Sequence, residues 1–178
     1  MKTYDYEKLN QEFEPKSAED IIRWAAGEFG PDLAMSTSFG VESAVLLHLA
    51  TQIKPDIPVL FTNTGFHFKQ TLDHRDLLVK RLKLNLRELK PEIPNEQFLA
   101  QYGKLYERDP DACCAMNKIA PFEKALKDYR AWITGIRRNQ ADTRKFSQFV
   151  ENYRDQMVKI NPLLNWTSKM FWEYSKKY

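Results

Sequence analysis

The stretch that decides the fold is residues 33–53, LAMSTSFGVESAVLLHLATQI. It begins with the short apolar run Leu33-Ala34-Met35, continues through a polar segment from Ser36 to Ser43, and ends in the apolar helical stretch 44–53. An apolar strand that leads through a polar loop into a helix is the basic unit of an α/β protein. The sequence therefore predicts strand, loop and helix in that order.

Strands and helices alternate on both sides of this unit. Upstream, residues 18–29 have apolar residues at helical spacing, with Ser17 placed as the N-cap and with Gly30 and Pro31 at the end. Downstream, the pattern predicts strands at 57–63, 84–91, 130–136 and 158–164, and helices at 68–82, at 115–129 and from Thr167 onward. Between Pro91 and Pro110 we expect irregular structure with a short helix near 96–103. The fold class predicted is α/β, with a doubly wound, mostly parallel sheet and helices on both faces.

Length and composition are those of a soluble globular protein. Of the 178 residues, 43% are hydrophobic and 29% are charged, and we expect residues 1–178 to form a single domain. The net charge is +3, with basic and acidic residues interspersed, so no basic tract favours nucleic acid or a membrane surface. The polar N-terminal segment is not a signal peptide, and no apolar run approaches the roughly 20 residues of a membrane span. We expect a cytoplasmic protein.

Three of the predicted strand ends are unusually polar, and ligands of doubly wound sheets bind beyond the carboxyl ends of the strands. The first, residues 36–43, supplies hydroxyl groups, a glycine and a helix N-terminus, which are the requirements of a phosphate or pyrophosphate site. The second, residues 62–65, offers hydroxyl and amide groups for adenine or ribose. The third, residues 135–144, carries three arginines, which suit a ligand with several anionic groups.

Each of these segments also has an ordinary interpretation. Ser and Thr are good helix caps, and Asn, Thr and Gly are common turn formers. An arginine-rich loop is often a solvated surface. Taken singly, the three segments leave a ligand site and an ordinary loop as open alternatives.

Taken together and in this order, the segments resemble the sulfonucleotide reductases of assimilatory sulfate reduction. The matching pieces run from about residue 33 to residue 172 and comprise STSFGVESAVLLHL, PDIPVLFTNTGFHFKQT, YGKLYE, NKIAPFEKAL, TGIRRNQADTR and INPLLNW. The resemblance implies an adenine-nucleotide α-hydrolase-like fold, in agreement with the architecture predicted from the residue pattern.

Cys113 and Cys114 are the two cysteines of the sequence. Adjacent cysteines rarely pair with each other because the disulfide would be strained, and their ordinary interpretation is as small apolar residues on a helix. With the following AMNKIAP they resemble the tandem-cysteine motif of adenylyl-sulfate reductases that carry a four-iron, four-sulfur (4Fe-4S) cluster. Such a cluster takes four thiolates. In that family the other two form a downstream Cys-x-x-Cys pair and the catalytic cysteine lies in a C-terminal tail, so we expect this chain to lack both.

The resemblance also implies roles for particular side chains. The residues implied around the phosphate or phosphosulfate are Ser36, Thr37, Ser38, Gly40 and Ser43, and those along the adenosine are Thr62, Asn63, Thr64 and Gly65. The anion pocket is completed by Arg137, Arg138, Gln140 and Arg144, while Lys118 is implied near both the cluster and the substrate. Glu42 departs from a purely electropositive loop, and Ala141 stands where many relatives have serine.

The activity implied by the resemblance is reduction of adenylyl sulfate, or of its 3′-phosphorylated form, to sulfite. A thiolate attacks the sulfur, AMP or its 3′-phosphorylated form leaves, and thioredoxin or glutaredoxin reduces the resulting thiosulfonate. The same analogy implies a homo-oligomer. Two alternatives stay open: an ATP pyrophosphatase or nucleotidyl transferase of the same fold, against which the cysteine pair and RRNQADTR argue, and a non-catalytic nucleotide-binding module.

Overall fold

Within residues 3–154 and 157–178, which the computed structural model describes, six strands form one sheet. Met1, Lys2, Asp155 and Gln156 of the predicted single domain lie outside the described residues. The strand order is β3-β2-β1-β4-β6-β5, and β5 alone in this sheet runs antiparallel to its neighbour. The prediction of a mostly parallel sheet is confirmed. The strand bounds are β1 Leu33–Ser36, β2 Pro58–Thr62, β3 Asn85–Leu89, β4 Ala131–Ile133, β5 Val150–Tyr153 and β6 Met157–Ile160.

Helices fill most of the connections between the strands. Their bounds are α1 Tyr6–Phe13, α2 Ala18–Phe29, α3 Ser43–Ile53, α4 Lys69–Leu82, α5 Asn95–Tyr102, α6 Leu105–Arg108, α7 Pro110–Cys114, α8 Ala120–Leu126 and α9 Ser168–Lys177. Ser17 caps α2 by accepting a hydrogen bond from the N–H of Asp20, as predicted. Among the described residues, no helix combines the length and the apolar character needed to cross a membrane.

Helices cover both faces of the sheet, and side chains alternate between these faces along each strand. Leu33 and Met35 of β1 belong to the larger core cluster, which also contains buried residues of α2, α3, α4 and α9. Ala34 points the other way and belongs to a smaller cluster with Trp132 of β4 and Leu126 of α8. The near-continuous apolar character of β1 therefore reflects burial on both sides.

The chain reverses its direction of travel across the sheet beside β1. It passes from β1 outward through β2 to β3, and then returns to β4 on the other side of β1. β1 is parallel to both neighbours, with Met35 opposite Val59 of β2 and opposite Ile133 of β4. Connections that leave β1 and β4 in opposite directions open a crevice between them at the carboxyl ends of the strands. Residues 36–43 and 134–144 border that crevice.

The structure corrects the helix predicted from Ala115 to Tyr129. Helical structure begins earlier, at Pro110, where the carboxylate of Asp109 accepts a hydrogen bond from the N–H of Ala112 at 2.9 Å. It continues through a π-helical segment at Ala115–Ile119 and ends at Leu126. Asp at the N-cap and Pro at the first helical position are both helix-start signals. They determine where the helix begins, although the composition of the surrounding residues is typical of a loop.

Three elements are not predicted from the sequence pattern, the helices α1 and α6 and the strand β5. Tyr6, Leu9 and Phe13 of α1 lie at helical spacing and contribute to the larger core cluster, but the sequence pattern predicts no helix there because most residues of α1 are polar. Its position is fixed by Asn10, whose amide donates to the carbonyl of Val150 at 2.8 Å and accepts from the N–H of Val150 at 3.0 Å. β5 thus exchanges hydrogen bonds with a helix about 140 residues away in sequence, a pairing that local pattern does not contain.

Gly65 lies where the backbone after β2 turns, at a φ of +78° that L side chains rarely adopt. A Cβ added there would lie 2.6 Å from Nδ2 and 2.9 Å from Cβ of Asn95, and Asn95 donates from that Nδ2 to the carbonyl of Gly65. We expect Gly65→Ala to lower the free energy of unfolding by about 1–3 kcal/mol, through backbone strain and displacement of Asn95. Urea denaturation measures this directly.

Gly27→Ala is the matched control for that measurement. Gly27 lies within α2, and a Cβ added there meets nothing within 4 Å. Alanine in a helix should raise the free energy of unfolding by roughly 0.5–1 kcal/mol. Equal effects of the two substitutions would contradict the assignment of Gly65 to a turn that requires glycine.

Candidate anion-binding site

The loop after β1 is anchored to the protein core by a buried aromatic side chain. Phe39 has a left-handed φ of +52° and is buried, with its ring edge-on to that of Phe61 at a centroid distance of 5.1 Å. The N–H of Phe39 donates to Oγ1 of Thr37 at 3.0 Å, and its carbonyl lies 3.0 Å from Nδ1 of His74. With Phe39 anchored, the neighbouring Ser38 and Gly40 are left exposed at the surface of the crevice.

The first residue of this loop is fixed by the neighbouring strand. Ser36 Oγ accepts a hydrogen bond from the indole Nε1 of Trp132 on β4 at 3.1 Å. The next residue, Thr37, donates its N–H to the carbonyl of Leu60 on β2 at 3.1 Å. These contacts tie the loop to both strands that flank β1, and they occupy the Ser36 hydroxyl as an acceptor.

Helix α3 begins in this loop without a side-chain cap. Glu42 is at the N-cap position but makes no capping hydrogen bond, whereas α1, α2 and α9 are capped by Asp5, Ser17 and Thr167. The N–H of Ser43 is bonded to the carbonyl of Gly40 at 2.8 Å. The remaining N–H groups of the first turn face the crevice end of the helix, where the positive end of the helix dipole favours an anion.

In the loop after β2, the polar groups are satisfied largely by one another. Oδ1 of Asn63 accepts from the N–H of Gly65 at 3.1 Å, and Oγ1 of Thr64 accepts from the N–H of Phe66 at 3.2 Å. The carbonyl of Thr62 lies 3.0 Å from Nε2 of His67. The predicted adenosine-facing residues therefore form a closed turn beside the crevice, and their contact with a nucleoside stays a prediction.

The loop after β4 places a buried arginine in the crevice. Arg137 is only 3% exposed, and its guanidinium lies over the ring of Phe171 on α9, with Cζ 4.3 Å from the ring centroid. Its Nη2 donates to Oε1 of Glu42. Its Nε and Nη1 are buried and have no hydrogen-bond partner among the described residues. Unpaired buried donors are costly, so these two atoms mark a place where a bound acceptor would be favourable.

Gln140 joins this arrangement to the adjacent arginines. Its Oε1 accepts from the backbone N–H of Arg137 at 3.1 Å and from Nη1 of Arg144, while its Nε2 donates to Oε2 of Glu42 at 3.2 Å. Arg137, Gln140, Arg144 and Glu42 therefore form one connected group, which we call the Arg137 network.

Arg138, which the sequence places in the same anion pocket, makes other contacts in the structure. Its Nε donates to the carbonyl of Ser147 at 3.1 Å, its Nη1 donates to Asn165, and its guanidinium lies 5.5 Å from the ring centroid of Phe149. Glu14 is 3.7 Å away. In the structure these contacts fasten the loop to the body of the protein, and a role of Arg138 in the anion pocket stays a prediction.

The cysteine pair lies at the junction of α7 and the π-helical segment. Cys113 is buried and Cys114 is half-buried, and Asn117 donates from Nδ2 to the carbonyl of Cys113 at 3.0 Å and to its sulfur at 3.6 Å. Lys118, predicted near cluster and substrate, is exposed. Within residues 3–154 and 157–178, no group of three or more His, Cys, Asp or Glu side chains is arranged to hold a metal ion.

A separate groove of about 770 Å³ lies between the end of β3 and α8. Leu89, Phe98, Met116, Asn117 and Pro121 contribute to its wall. Its lining includes none of the residues predicted for the anion pocket or the adenosine side. Asn117 connects the groove to Cys113.

Sequence reasoning singled out Glu42 but missed its contact with Arg137, and it missed other residues that shape the site. Glu42, Phe171 and Trp132 each contact a predicted site residue that is 34 to 96 positions away in sequence. His74 supports the β1 loop through the carbonyl of Phe39. The negative charge of Glu42, in a loop of otherwise uncharged residues, is the local signal that predicts a nearby cation.

Comparison with known proteins agrees with the resemblance of the motifs. The profile of the phosphoadenosine phosphosulfate reductase domain matches residues 32–178. The chain is 42% identical over 170 residues to the adenosine 5′-phosphosulfate reductase of Halalkalibacterium halodurans, covering 94% of this chain and 74% of that protein. The crystal structure of phosphoadenylyl-sulfate reductase from Candida auris superposes with a TM-score of 0.86 at 27% identity, covering 99% of this chain and 88% of that one.

A more distant neighbour shares the fold alone. FMN adenylyltransferase from Candida glabrata superposes with a TM-score of 0.61 at 17% identity, covering 98% of this chain and 57% of that one. The superposition on both structures confirms the predicted α/β architecture with a mostly parallel sheet.

Helix α9 supports Arg137 and is itself held by Tyr174, whose hydroxyl lies 2.7 Å from Nδ1 of His48 on α3. Burial raises the pKa of Tyr174 to about 12, with smaller contributions from Tyr178 and Glu19. A raised pKa in the folded state means that stability is fully present below pH 10, the ordinary tyrosine value, and is lost as pH rises towards 12. We expect Tyr174→Phe to reduce the loss of stability between pH 8 and pH 11.

Urea denaturation at the two pH values measures that difference. At pH 8 the variant should be less stable by about 1 kcal/mol, because the hydrogen bond to His48 is lost. Tyr4→Phe serves as a second probe, because burial and the carboxylate of Glu28 raise the pKa of Tyr4 to about 12 as well. An unchanged pH dependence in both variants would show that tyrosine ionisation does not limit alkaline stability.

Proposed function

Because the chain belongs to the phosphoadenosine phosphosulfate reductase domain family, we propose that it takes part in the reduction of adenylyl sulfate to sulfite in assimilatory sulfate reduction. The structural observation that carries the proposal is the buried guanidinium of Arg137 beside the uncapped N-terminus of α3, with two nitrogens that have no partner in the described part of the chain. Both groups attract an anion. They lie at the crevice between β1 and β4, where ligands of this fold class bind.

The unphosphorylated nucleotide is the proposed substrate rather than the 3′-phosphorylated one. The relative from Halalkalibacterium halodurans, at 42% identity, is an adenosine 5′-phosphosulfate reductase, whereas the phosphoadenylyl-sulfate reductase from Candida auris is 27% identical. Cys113 and Cys114 also match the tandem-cysteine motif of the adenylyl-sulfate enzymes. Both the higher identity and the cysteine pair support adenylyl sulfate.

In the proposed reaction, the residues of this chain bind the nucleotide and stabilise the leaving group. A thiolate attacks the sulfur of adenylyl sulfate, an S–S bond forms, the bond between sulfur and the phosphate oxygen breaks, and AMP departs with the negative charge. Arg137 and the N–H groups of α3 would stabilise that charge as it develops. Reduced thioredoxin or glutaredoxin then supplies two electrons as a dithiol, releasing sulfite and leaving a disulfide.

Further roles of individual residues are proposed on the resemblance. Thr62, Asn63, Thr64 and Gly65 would line the adenosine, and Ser36, Thr37, Ser38, Gly40 and Ser43 would surround the phosphate. Gln140 and Arg144 would bind anionic oxygens with Arg137, and Arg138 would act by holding their loop in place. We also propose that residues 1–178 work as one nucleotide-binding domain of a cytoplasmic homo-oligomer.

The cysteine pair is proposed to supply two ligands of a 4Fe-4S cluster. Such clusters take four thiolates, and this sequence contains two, so the donor set within it is half of what the cluster needs. Asn117, which donates to the sulfur of Cys113, and the π-helical turn, a feature frequent at functional sites, suit a ligand position better than an ordinary core. When bound by four thiolates, the cluster would supply a polarisable group with delocalised charge beside Cys113 and Cys114. The attacking thiolate is assigned to neither cysteine.

The first test of the proposed function is the affinity of Arg137→Lys for AMP and adenylyl sulfate, measured by titration calorimetry. Lysine keeps the charge but loses the planar set of donors, and hydrogen bonds to charged groups contribute about 1.5–3 kcal/mol. We therefore expect affinity to fall at least about tenfold. Arg154→Lys is the control, because Arg154 is exposed and paired with Glu123. Unchanged affinity in Arg137→Lys would refute the placement of the anion.

The second test is the iron content of the full-length protein purified without air, together with sulfite release from each nucleotide in the presence of thioredoxin. We expect about four irons per chain and activity on adenylyl sulfate. Cys113→Ser and Cys114→Ser should each remove most of the iron, while Ala115→Ser, at an exposed position on the same helical stretch, should retain it. An iron-free protein active on the 3′-phosphorylated nucleotide would make both cysteines structural.

A further inference from the structure

Glu42 binds two side chains that the proposed function assigns to the substrate, Arg137 and Gln140, and the donor atom of Arg137 that it uses lies next to the Nε and Nη1 that have no partner among the described residues. Its Oε1 accepts from Nη2 of Arg137, and its Oε2 accepts from Nε2 of Gln140 at 3.2 Å. Both carboxylate oxygens are therefore engaged by donors of the Arg137 network. A carboxylate and a phosphate present oxygen acceptors of similar geometry to a guanidinium.

Arg137 needs a counter-charge whether or not a ligand is present. Its side chain is 4% exposed and its guanidinium lies over Phe171, so water contributes little to stabilising the charge. Removing the partner of a buried charge is strongly destabilising. In the absence of a ligand, Glu42 is the carboxylate that neutralises Arg137.

Glu42 itself is much less confined than its partner. Its side chain is 47% exposed, and it projects from the exposed stretch Gly40–Glu42 at the start of α3. The carboxylate could move into water at little cost in solvation, whereas Arg137 could not follow it. The asymmetry of burial indicates which member of the pair would be displaced by a competing anion.

We propose that Glu42 is an internal counter-anion that the phosphate of the nucleotide displaces from Arg137 and Gln140 on binding. The inference rests on the proposed function, because it assumes that the nucleotide phosphate binds at the Arg137 network. Arg137 is then neutralised in both states, by Glu42 before binding and by phosphate afterwards. Competition with Glu42 makes nucleotide binding weaker than the donors alone would allow, and it favours release of AMP.

The alternative is that Glu42 positions Arg137 and stays paired with it in the complex. The two arrangements predict opposite changes in nucleotide affinity for the substitution Glu42→Gln. If Glu42 competes, then Glu42→Gln strengthens nucleotide binding. If Glu42 positions the guanidinium, the substitution weakens it.

The test is titration calorimetry of AMP and of adenylyl sulfate with the wild-type protein and Glu42→Gln. We expect the variant to bind AMP at least about fivefold more tightly, the lower end of typical coupling between two sites. Glu14→Gln is the matched control. Oε1 of Glu14 lies 3.7 Å from Nη1 of Arg138, which is in the same loop as Arg137. The control substitution removes an equal charge nearby without vacating the Arg137 network, so it should change the affinity by less than about twofold, as expected for screened surface charges.

A second measurement uses the melting temperature with inorganic phosphate as the probe. Without phosphate, Glu42→Gln should melt below the wild type because Arg137 has lost its counter-charge, and added phosphate should raise its melting temperature more than that of the wild type. A variant that folds only when phosphate is present would support the exchange. Glu42→Asp, which keeps the charge but shortens the reach, should bind AMP with an affinity between the other two.

The outcomes separate this inference from the proposed function. If the wild type binds AMP and Glu42→Gln binds it equally or more weakly, the exchange is overturned and the site stands. If Glu14→Gln strengthens binding as much as Glu42→Gln, general charge is responsible and the exchange is again overturned. If neither protein binds AMP or adenylyl sulfate, the proposed function fails and this inference fails with it. Binding by Glu42→Gln alone would support the exchange.

Discussion

The guanidinium of Arg137 is buried where the loop after β1, the loop after β4 and helix α9 meet, and its charge has to be matched there. Phe171 covers one face of it, Glu42 supplies the charge, and Gln140 holds both the backbone of Arg137 and the carboxylate of Glu42. Each of these contacts brings a different part of the chain to the same point. The position of α9 and the path of the β1 loop therefore depend on satisfying this one cation.

The architecture of the sheet explains why the charge of Arg137 lies at the carboxyl ends of β1 and β4. β1 and β4 are apolar along their length because helices cover both faces, so polar side chains are confined to the strand ends. The chain leaves β1 and β4 in opposite directions, which keeps the space between their carboxyl ends open. Phe39 and Trp132 then anchor the first loop from the apolar side and leave its polar side towards the crevice.

Sequence patterns predict the parts of the structure that depend on local chemistry. The apolar periodicity of residues 18–29 and the cap at Ser17 predict α2 to the residue, and the run 33–53 predicts β1, its loop and α3.

The contacts of the site join residues that are far apart in the sequence. Glu42 and Arg137 are 95 residues apart, and Trp132 and Ser36 are 96 residues apart, so no window of sequence contains both partners. The motif identifies Arg138 as an equal of Arg137, but in the structure Arg138 contacts Ser147 and Asn165. The resemblance supplies the set of residues, and the structure adds the contacts that each of them makes.

The polar groups at one end of the crevice already have hydrogen-bond partners, whereas some at the other end have none among the described residues. This difference affects which part of a bound nucleotide would be bound most tightly. In the turn after β2, the side chains of Asn63 and Thr64 already accept hydrogen bonds from the backbone of the same turn. A ligand that binds there replaces bonds already made, so its net gain is small. At the other end, Nε and Nη1 of Arg137 have no partner among the described residues, and α3 has no side-chain cap. A phosphate placed there satisfies donors that are otherwise unpaired and buried, which is the case in which a hydrogen bond contributes most. Within the proposed function, the unpaired donors of Arg137 therefore favour recognition of the nucleotide through its anionic group.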